Sequence, residues 1–323
     1  MDYIFKRLDA GQIPLIAELT KQVWGQASLV DAAILTAKFL TKPFGGTEHL
    51  GFVAYPENAK PEINGHPLPV AYYGVFPILA KFGNNEVLCA QSGDTMTHPE
   101  HRGKGLFIDL AKKTYATARS EGIQFVFGFP NENSYPGFSR KLDWRFPYNM
   151  VRFIRIIPTL PIGLIFRRMG KPYRQFGRWG HFIVKQFFDE IEPYGTLWTH
   201  NSEIHSGIIR DSRLWDYKSA YTLYVQSGKI GLVLKFDGDL SIGEIMGDPS
   251  PKEMSRIMHR LDILAMMTGA IRIKSYFSPQ SRLRHHLAPF GKCTPSLPYG
   301  FVNFTCKNDP STLEYTYLDY DTF

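Results

Sequence analysis

Two extended runs and the helix behind them restrict this chain more than any other stretch of it. Runs at 68–79 and 85–97 flank Gly83-Asn84-Asn85. Gly and Asn accept positive φ cheaply, so the runs are expected to fold back on each other as a hairpin. A helix is expected over 105–120, closing at Glu121-Gly122 with the glycine as its C-terminal cap. A strand, apolar but for Gln124, follows at 123–127. A short turn joins antiparallel neighbours, whereas a helix between strands makes a parallel crossover. A sheet containing both is of mixed direction, and the expected class is α+β.

The flanking pattern agrees. A strand is expected at 3–9 and a helix over 12–24, where Ile13, Leu15, Ile16, Leu19 and Val23 mark one buried face. A second helix is expected over 29–40, with Val30, Ala33, Ile34 and Ala37 on one side. Strands at 49–54 and 146–157 and a short helix at 133–142 complete a first domain, 1–157. Residues 158–180, rich in Pro, Gly, Arg and aromatics, show no period and read as a connector. Beyond them the element order repeats without the sequence repeating. Strands are expected at 221–226, 230–236 and 240–246, a helix at 251–267, a strand at 271–277, a helix at 280–288 and a strand at 299–306. The expectation is two tandem domains, 1–157 and 181–323, each a mixed, mostly antiparallel sheet flanked by helices.

Composition fits two cores. The chain has 323 residues, 44% hydrophobic and 21% charged, which is ordinary for about two globular domains. Three scattered cysteines, Cys89, Cys293 and Cys306, suit a reducing compartment and offer neither a disulfide framework nor a zinc site, so no metal is expected. Residues 1–14 carry no apolar run of signal type. The charge-free run at 156–166 is eleven residues and contains Pro158, Pro161 and Gly163. A membrane span needs roughly 20. A cytoplasmic protein is expected.

The formal charge of +7 is concentrated. From Arg140 to Lys185 there are eleven basic residues and one acid, Asp143, a net +10. Such a stretch suits an anionic partner: the phosphates of a small-molecule acceptor, or an anionic membrane surface met peripherally at its inner face. Nucleic acid is disfavoured, because no recognition motif accompanies the charge.

Chemistry concentrates in 91–107, QSGDTMTHPEHRGKGLF. A strand turns into a helix through Arg102-Gly103-Lys104-Gly105. Amides at a helix start, uncovered where Gly has no side chain, form a positive concavity suited to a pyrophosphate. A dinucleotide fingerprint would need Gly or Ala where Ile108 stands, and GxxxxGK[ST] is absent. The window Glu100-His101-Arg102-Gly103-Lys104-Gly105 resembles the [QR]-x-x-G-x-[GA] signature of the GNAT superfamily of N-acetyltransferases, with Glu in the first place. About 25 residues on, the strand at 123–129, Asn131 and Asn133, and Ser139-Arg140-Lys141-Leu142-Asp143-Trp144 resemble that superfamily's second half. Ser139 stands where it often carries a tyrosine, and Asp143 where it carries glycine. The resemblance covers residues 1–150.

The resemblance implies that acetyl-CoA is the cosubstrate, its phosphates on Arg102, Gly103, Lys104, Gly105 and Leu106. Its pantetheine arm would lie along Thr95, Met96 and Thr97, with Asn131 and Asn133 supplying amides. An amine attacks the thioester directly, and a backbone amide of the fourth strand holds the oxyanion. Asp94 is the candidate base, and Ser139 and Tyr135 are candidate proton donors to the leaving thiolate. In the second half the corresponding place reads Gly247-Asp248-Pro249-Ser250-Pro251-Lys252, with an acid and two prolines where a phosphate needs amides. That domain is expected to be GNAT-like and to lack a CoA loop. Arg210-Asp211-Ser212-Arg213 and the tail acids Asp319 and Asp321 are similar to tandem GNAT proteins that accompany polysaccharide-biosynthesis enzymes. The acceptor implied is an amino sugar on a nucleotide or lipid carrier. The alternatives are a Fem-type acyl or aminoacyl transferase and a non-catalytic binding protein of the same fold.

Overall fold

The computed structural model describes residues 2–25, 32, 35–36, 49–63, 65–169, 180–192, 206–210, 214, 218, 222–236 and 238–320. The helix expected over 29–40 lies outside them but for three positions, as do most of 170–205 and Asp321. The chain forms two compact units, 1–147 with 299–312 and 148–298 with 313–323.

In the first unit the elements are β1 (Tyr3–Arg7), α1 (Ile13–Trp24), β2 (Gly51–Pro56), β3 (Ala71–Phe82), β4 (Asn85–Thr97), α2 (Leu106–Ser120), β5 (Phe125–Gly128) and α3 (Tyr135–Lys141). β1 pairs antiparallel with β2, β2 with β3, and β3 with β4. The β3–β4 turn is Gly83-Asn84, with Gly83 at φ +58°. β4 pairs parallel with β5 across α2, and residues 300–303 close the other side of β5 in antiparallel register. Among the described residues of this unit, one helix crossover thus yields one parallel pair, which is the expected α+β arrangement. α2 ends as its sequence demands: Gly122 takes φ +88°, its amide donates to Arg119 O and that of Ile123 to Ala118 O. Its buried face, Leu106, Leu110, Ala111, Tyr115 and Ala118, packs with Tyr73, Ala90, Val126, Phe138 and Trp144.

In the second unit are most of β6 (Arg145–Ile156), α4 (Ile162–Met169), β7 (Asp189–Glu190), β8 (Leu223–Ser227), β9 (Ile230–Phe236), β10 (Leu240–Met246), α5 (Pro251–Thr268), β11 (Arg272–Phe277), α6 (Arg282–Leu287) and the start of β12 (Lys292–Asn303). β7 to β10 pair antiparallel in order, β10 pairs parallel with β11 across α5, and β11 pairs antiparallel with β6. Residues 162–169, expected to lack period, form a short helix directly after Pro161. Gly163 lets this helix approach closely, since a Cβ there would lie 2.8 Å from Gly238 O. The last strand begins at Lys292, seven residues before the expected 299, because Pro295 and Pro298 interrupt the pattern by which a strand is read. Arg210 and Asp319, singled out in the sequence, meet in a buried cluster with Glu244 and Thr316. Burial opposes the Arg210 charge, but Asp319 and Glu244 outweigh it and hold the guanidinium protonated. Burial pushes the Glu244 carboxyl up against the pull of Arg210.

The basic stretch is partly neutralised. Arg155 is half-buried and forks onto Asp262, both bonds 2.7 Å, while also donating to Phe290 O at 2.6 Å. Lys185 pairs with Glu190 at 2.5 Å. Lys171, Arg174 and Arg178 lie outside the described residues. Among the described residues no helix is long and apolar enough to cross a membrane.

Candidate active site

β4 and β5 part company early. Their ladder joins Ala90 to Val126 and Gln91 to Phe127, whereas the β3–β4 ladder continues to Ala71–Thr97. The half of β4 beyond Gln91 thus keeps its partner on one side and leaves β5 on the other. Within that half Asp94 and Thr95 together stand opposite Tyr73, a bulge in which Asp94 takes φ +50°. Such a bulge turns backbone amides out of the ladder. Asp94 is buried to 9% exposure on this bulge, Met96 is buried, and Thr95 and Thr97 are half-buried.

The strand runs straight into the basic loop. His98 is tied to Val70 O through its amide, and Arg102 Nε donates to Thr97 O at 3.3 Å, so the loop folds back on the end of β4. Gly103 and Gly105 take φ +76° and +81°, conformations that L side chains resist. Among the described residues, and apart from its two chain neighbours, no atom lies within 4 Å of a Cβ placed on Gly103. Gly105 is the N-terminal cap of α2 and has no side chain with which to satisfy the amides there. Arg102, Gly103, Lys104 and Gly105 are all exposed, while Leu106 is buried and pins the helix start to the core. The arrangement leaves amides and two cations facing outward, with Asp109 as an acid in the first turn. The Tyr3 hydroxyl and His101 Nδ1 lie 2.9 Å apart in a hydrogen bond, and burial, Lys104 and His98 hold the imidazole below the usual pKa.

α3 is held against the first turn of α2. Gly137 makes this approach workable, since a Cβ there would stand 2.7 Å from the Phe107 ring. Phe138 packs on Phe107 and Trp144 with centroids 5.1 and 4.2 Å apart. Tyr135 is exposed and rests on Phe146 at 4.6 Å; Ser139 is half-buried. Asn131 Oδ1 accepts from the amides of Asn133 and Ser134 at 3.0 and 3.1 Å, so that oxygen serves the start of α3. Asn133 is exposed.

One group of residues escaped the sequence reading. Trp144 Nε1 donates to Tyr115 Oη at 2.9 Å, Tyr115 and Tyr73 hydroxyls lie 2.7 Å apart, and Tyr73 Oη lies 2.8 Å from Ser92 Oγ. Burial pushes both phenols far above their ordinary pKa, so they remain neutral donors. Aromatic residues inside apolar runs look like plain core, and nothing in their spacing marks a polar chain.

The equivalent position in the second unit is built differently. Ser250 caps α5, its hydroxyl accepting from Glu253 N while the Glu253 carboxylate takes the Ser250 amide at 2.9 Å. Side chains thus satisfy that helix start, and they include an acid. Asp248 projects into solvent beside His286, 3.6 Å away.

Residues 68–146 match the model of the acetyltransferase (GNAT) domain family. Among solved structures the fold is similar to a GCN5-related N-acetyltransferase from Kribbella flavida, 13% identical with TM-score 0.56, over 93% of this chain and 70% of that one. A GCN5-related N-acetyltransferase from Anabaena variabilis is similar at 13% identity and TM-score 0.56, over 93% and 72%. A protein from Pyrococcus horikoshii is similar at 12% identity and TM-score 0.56, over 98% and 93%. No curated protein matches the sequence.

Proposed function

We propose that the protein is an acyltransferase that moves an acetyl group from acetyl-CoA directly to an amine. The observation that supports this most is the conjunction of two features on one strand. β4 leaves β5 after Gln91 and, a few residues later, delivers the chain to a glycine-rich helix start whose cap has no side chain. An extended arm carrying a pyrophosphate at one end and a thioester at the other fits that conjunction. Arg102 and Lys104 would add charge at the phosphates, and Thr95, Met96 and Thr97 would offer their backbone to the arm.

In this reading the amine nitrogen attacks the thioester carbonyl, the C–S bond breaks, and the thiolate leaves. The amine must lose a proton, and Asp94 on the bulge is the proposed acceptor. Ser139 and Tyr135 are the proposed sources of a proton for sulfur. A thiol of pKa about 8.5 leaves readily, so that donor assists rather than decides. The acceptor class proposed is an amino sugar bearing phosphate, with the basic stretch from Arg140 to Lys185 as its counter-charge. The second unit, with its self-capped α5, is proposed as a GNAT-like partner domain that does not bind CoA.

The test is a thiol-release assay with acetyl-CoA against amines, amino sugars and nucleotide-linked amino sugars. It is paired with calorimetry of acetyl-CoA on the wild type and the Gly103→Asp/Gly105→Asp variant. Release with an amino-sugar acceptor, and loss of binding in the variant, are expected. Unchanged affinity in a folded variant removes the phosphate-loop assignment; no release with any acceptor favours a binding protein of the same fold.

A further inference from the structure

Ser92 is the residue of β4 directly after the last β4–β5 ladder pair, so it stands at the point of divergence. Facing it is Gly128, the last residue of β5, where a Cβ would lie 3.1 Å from Ser92 O and 3.3 Å from the Trp144 ring. The missing side chain lets Gly128 close against the Ser92 backbone and the Trp144 ring.

The hydrogen-bond chain behind Ser92 has a fixed direction. An indole N–H can only donate, so Tyr115 Oη accepts from Trp144. The Tyr115 hydroxyl hydrogen then goes to Tyr73 Oη, and that of Tyr73 to Ser92 Oγ. Among the described residues this is the one order that gives every phenolic hydrogen an acceptor, and buried hydroxyls left unsatisfied are costly. Ser92 Oγ therefore accepts from behind and has its own hydrogen to give forward.

We propose that the Ser92 hydroxyl is the hydrogen-bond donor that this site offers to the sulfur of the acyl donor. The assignment rests on the acyltransferase reading and deepens it. As the C–S bond breaks, electron density collects on sulfur, and a donor already oriented by Tyr73 meets it without reorganisation. The chain ends in an indole that holds its proton, so it cannot refill Ser92. Ser92 stabilises the thiolate and does not transfer a proton to it, and the proton that finally reaches sulfur comes from elsewhere.

The test titrates the thiol of CoA bound to the protein, following thiolate absorbance in the ultraviolet, for wild type, Ser92→Ala and Ser92→Thr. A hydrogen bond to a charged sulfur corresponds to about one pKa unit, a tenfold change in the acid constant. Ser92→Ala is expected to raise the bound thiol by that much, while Ser92→Thr, which keeps the hydroxyl, restores the wild-type value. Should Ser92→Ala fail to fold, Ser92→Cys keeps the volume with a weaker donor and is expected to shift the thiol the same way. Binding with an unmoved thiol overturns this inference alone. Failure of the wild type to bind CoA overturns the acyltransferase reading, and this inference with it.

Discussion

His101 bonds the Tyr3 hydroxyl from β1, and its own burial, more than any neighbour, sets its charge. Burial, the Lys104 ammonium and His98 hold the imidazole below its usual pKa, and Glu100 pulls weakly the other way. At neutral pH the loop's positive charge is therefore carried by Arg102 and Lys104. A phosphate on the loop favours the imidazolium, so His101 is expected to titrate higher with CoA bound than without it, and CoA affinity to rise as pH falls through that interval. Nitrogen-15 chemical shifts of the ring across pH check this; superposed curves with and without CoA remove His101 from the neighbourhood of the phosphates. The stability sign is the opposite. A depressed imidazole pKa means the unfolded chain takes the proton first, so what neutral His101 contributes is present above about pH 6.5 and is lost as pH falls.

Two helices of similar position show how differently one end can be finished. α2 begins at a left-handed glycine with nothing to cap it, and α5 begins at Ser250 with Glu253 reaching back. Ser250→Ala is expected to cost about 1 kcal/mol in urea unfolding, the usual worth of an N-terminal cap. The Glu253 carboxyl is held below its ordinary pKa by the Ser250 hydroxyl and amide. The box therefore contributes above the ordinary carboxylate range and loses that contribution as pH falls through the depressed value, so the gap between wild type and variant should narrow in acid. Equal stability of the two proteins at neutral pH removes the capping argument. The contrast between the two helix starts was legible in the sequence as glycines against Asp248 and two prolines, while the Ser250–Glu253 box emerged only in the structure. The bulge at Asp94 was not, since it exists only in the register of β4 against Tyr73.

At the scale of the molecule the chain does not divide where its periodicity changes. β6 begins in one unit and ends in the other, and 299–312 returns to the first unit. Residues 300–303 pair with Phe125–Gly128, the Phe304 amide bonds Gln124 O, and its ring packs on Tyr115. A fragment ending at 157 would expose the β5 edge and the core beneath it. We expect that fragment to melt non-cooperatively or to aggregate. The same fragment joined by a flexible linker to 292–312 is expected to melt cooperatively, by circular dichroism and size-exclusion chromatography. A cooperative, monomeric 1–157 fragment would show that the returning strand is dispensable.

By itself the sequence determined the described helices and the β3–β4 hairpin of the first unit, its glycine-rich helix start and its parallel crossover. Those depend on period, on caps and on glycine, each readable within a contiguous window of roughly 11–18 residues. The tertiary structure alone decided that Tyr299–Thr312 belongs with the first unit, that Trp144, Tyr115, Tyr73 and Ser92 form one directed chain, and that Arg155 is clasped by Asp262. Each of these joins residues tens to well over a hundred positions apart, and a side-chain pattern carries no label for its partner across that distance. The partner is fixed by which strands lie side by side, and only the folded sheet supplies that.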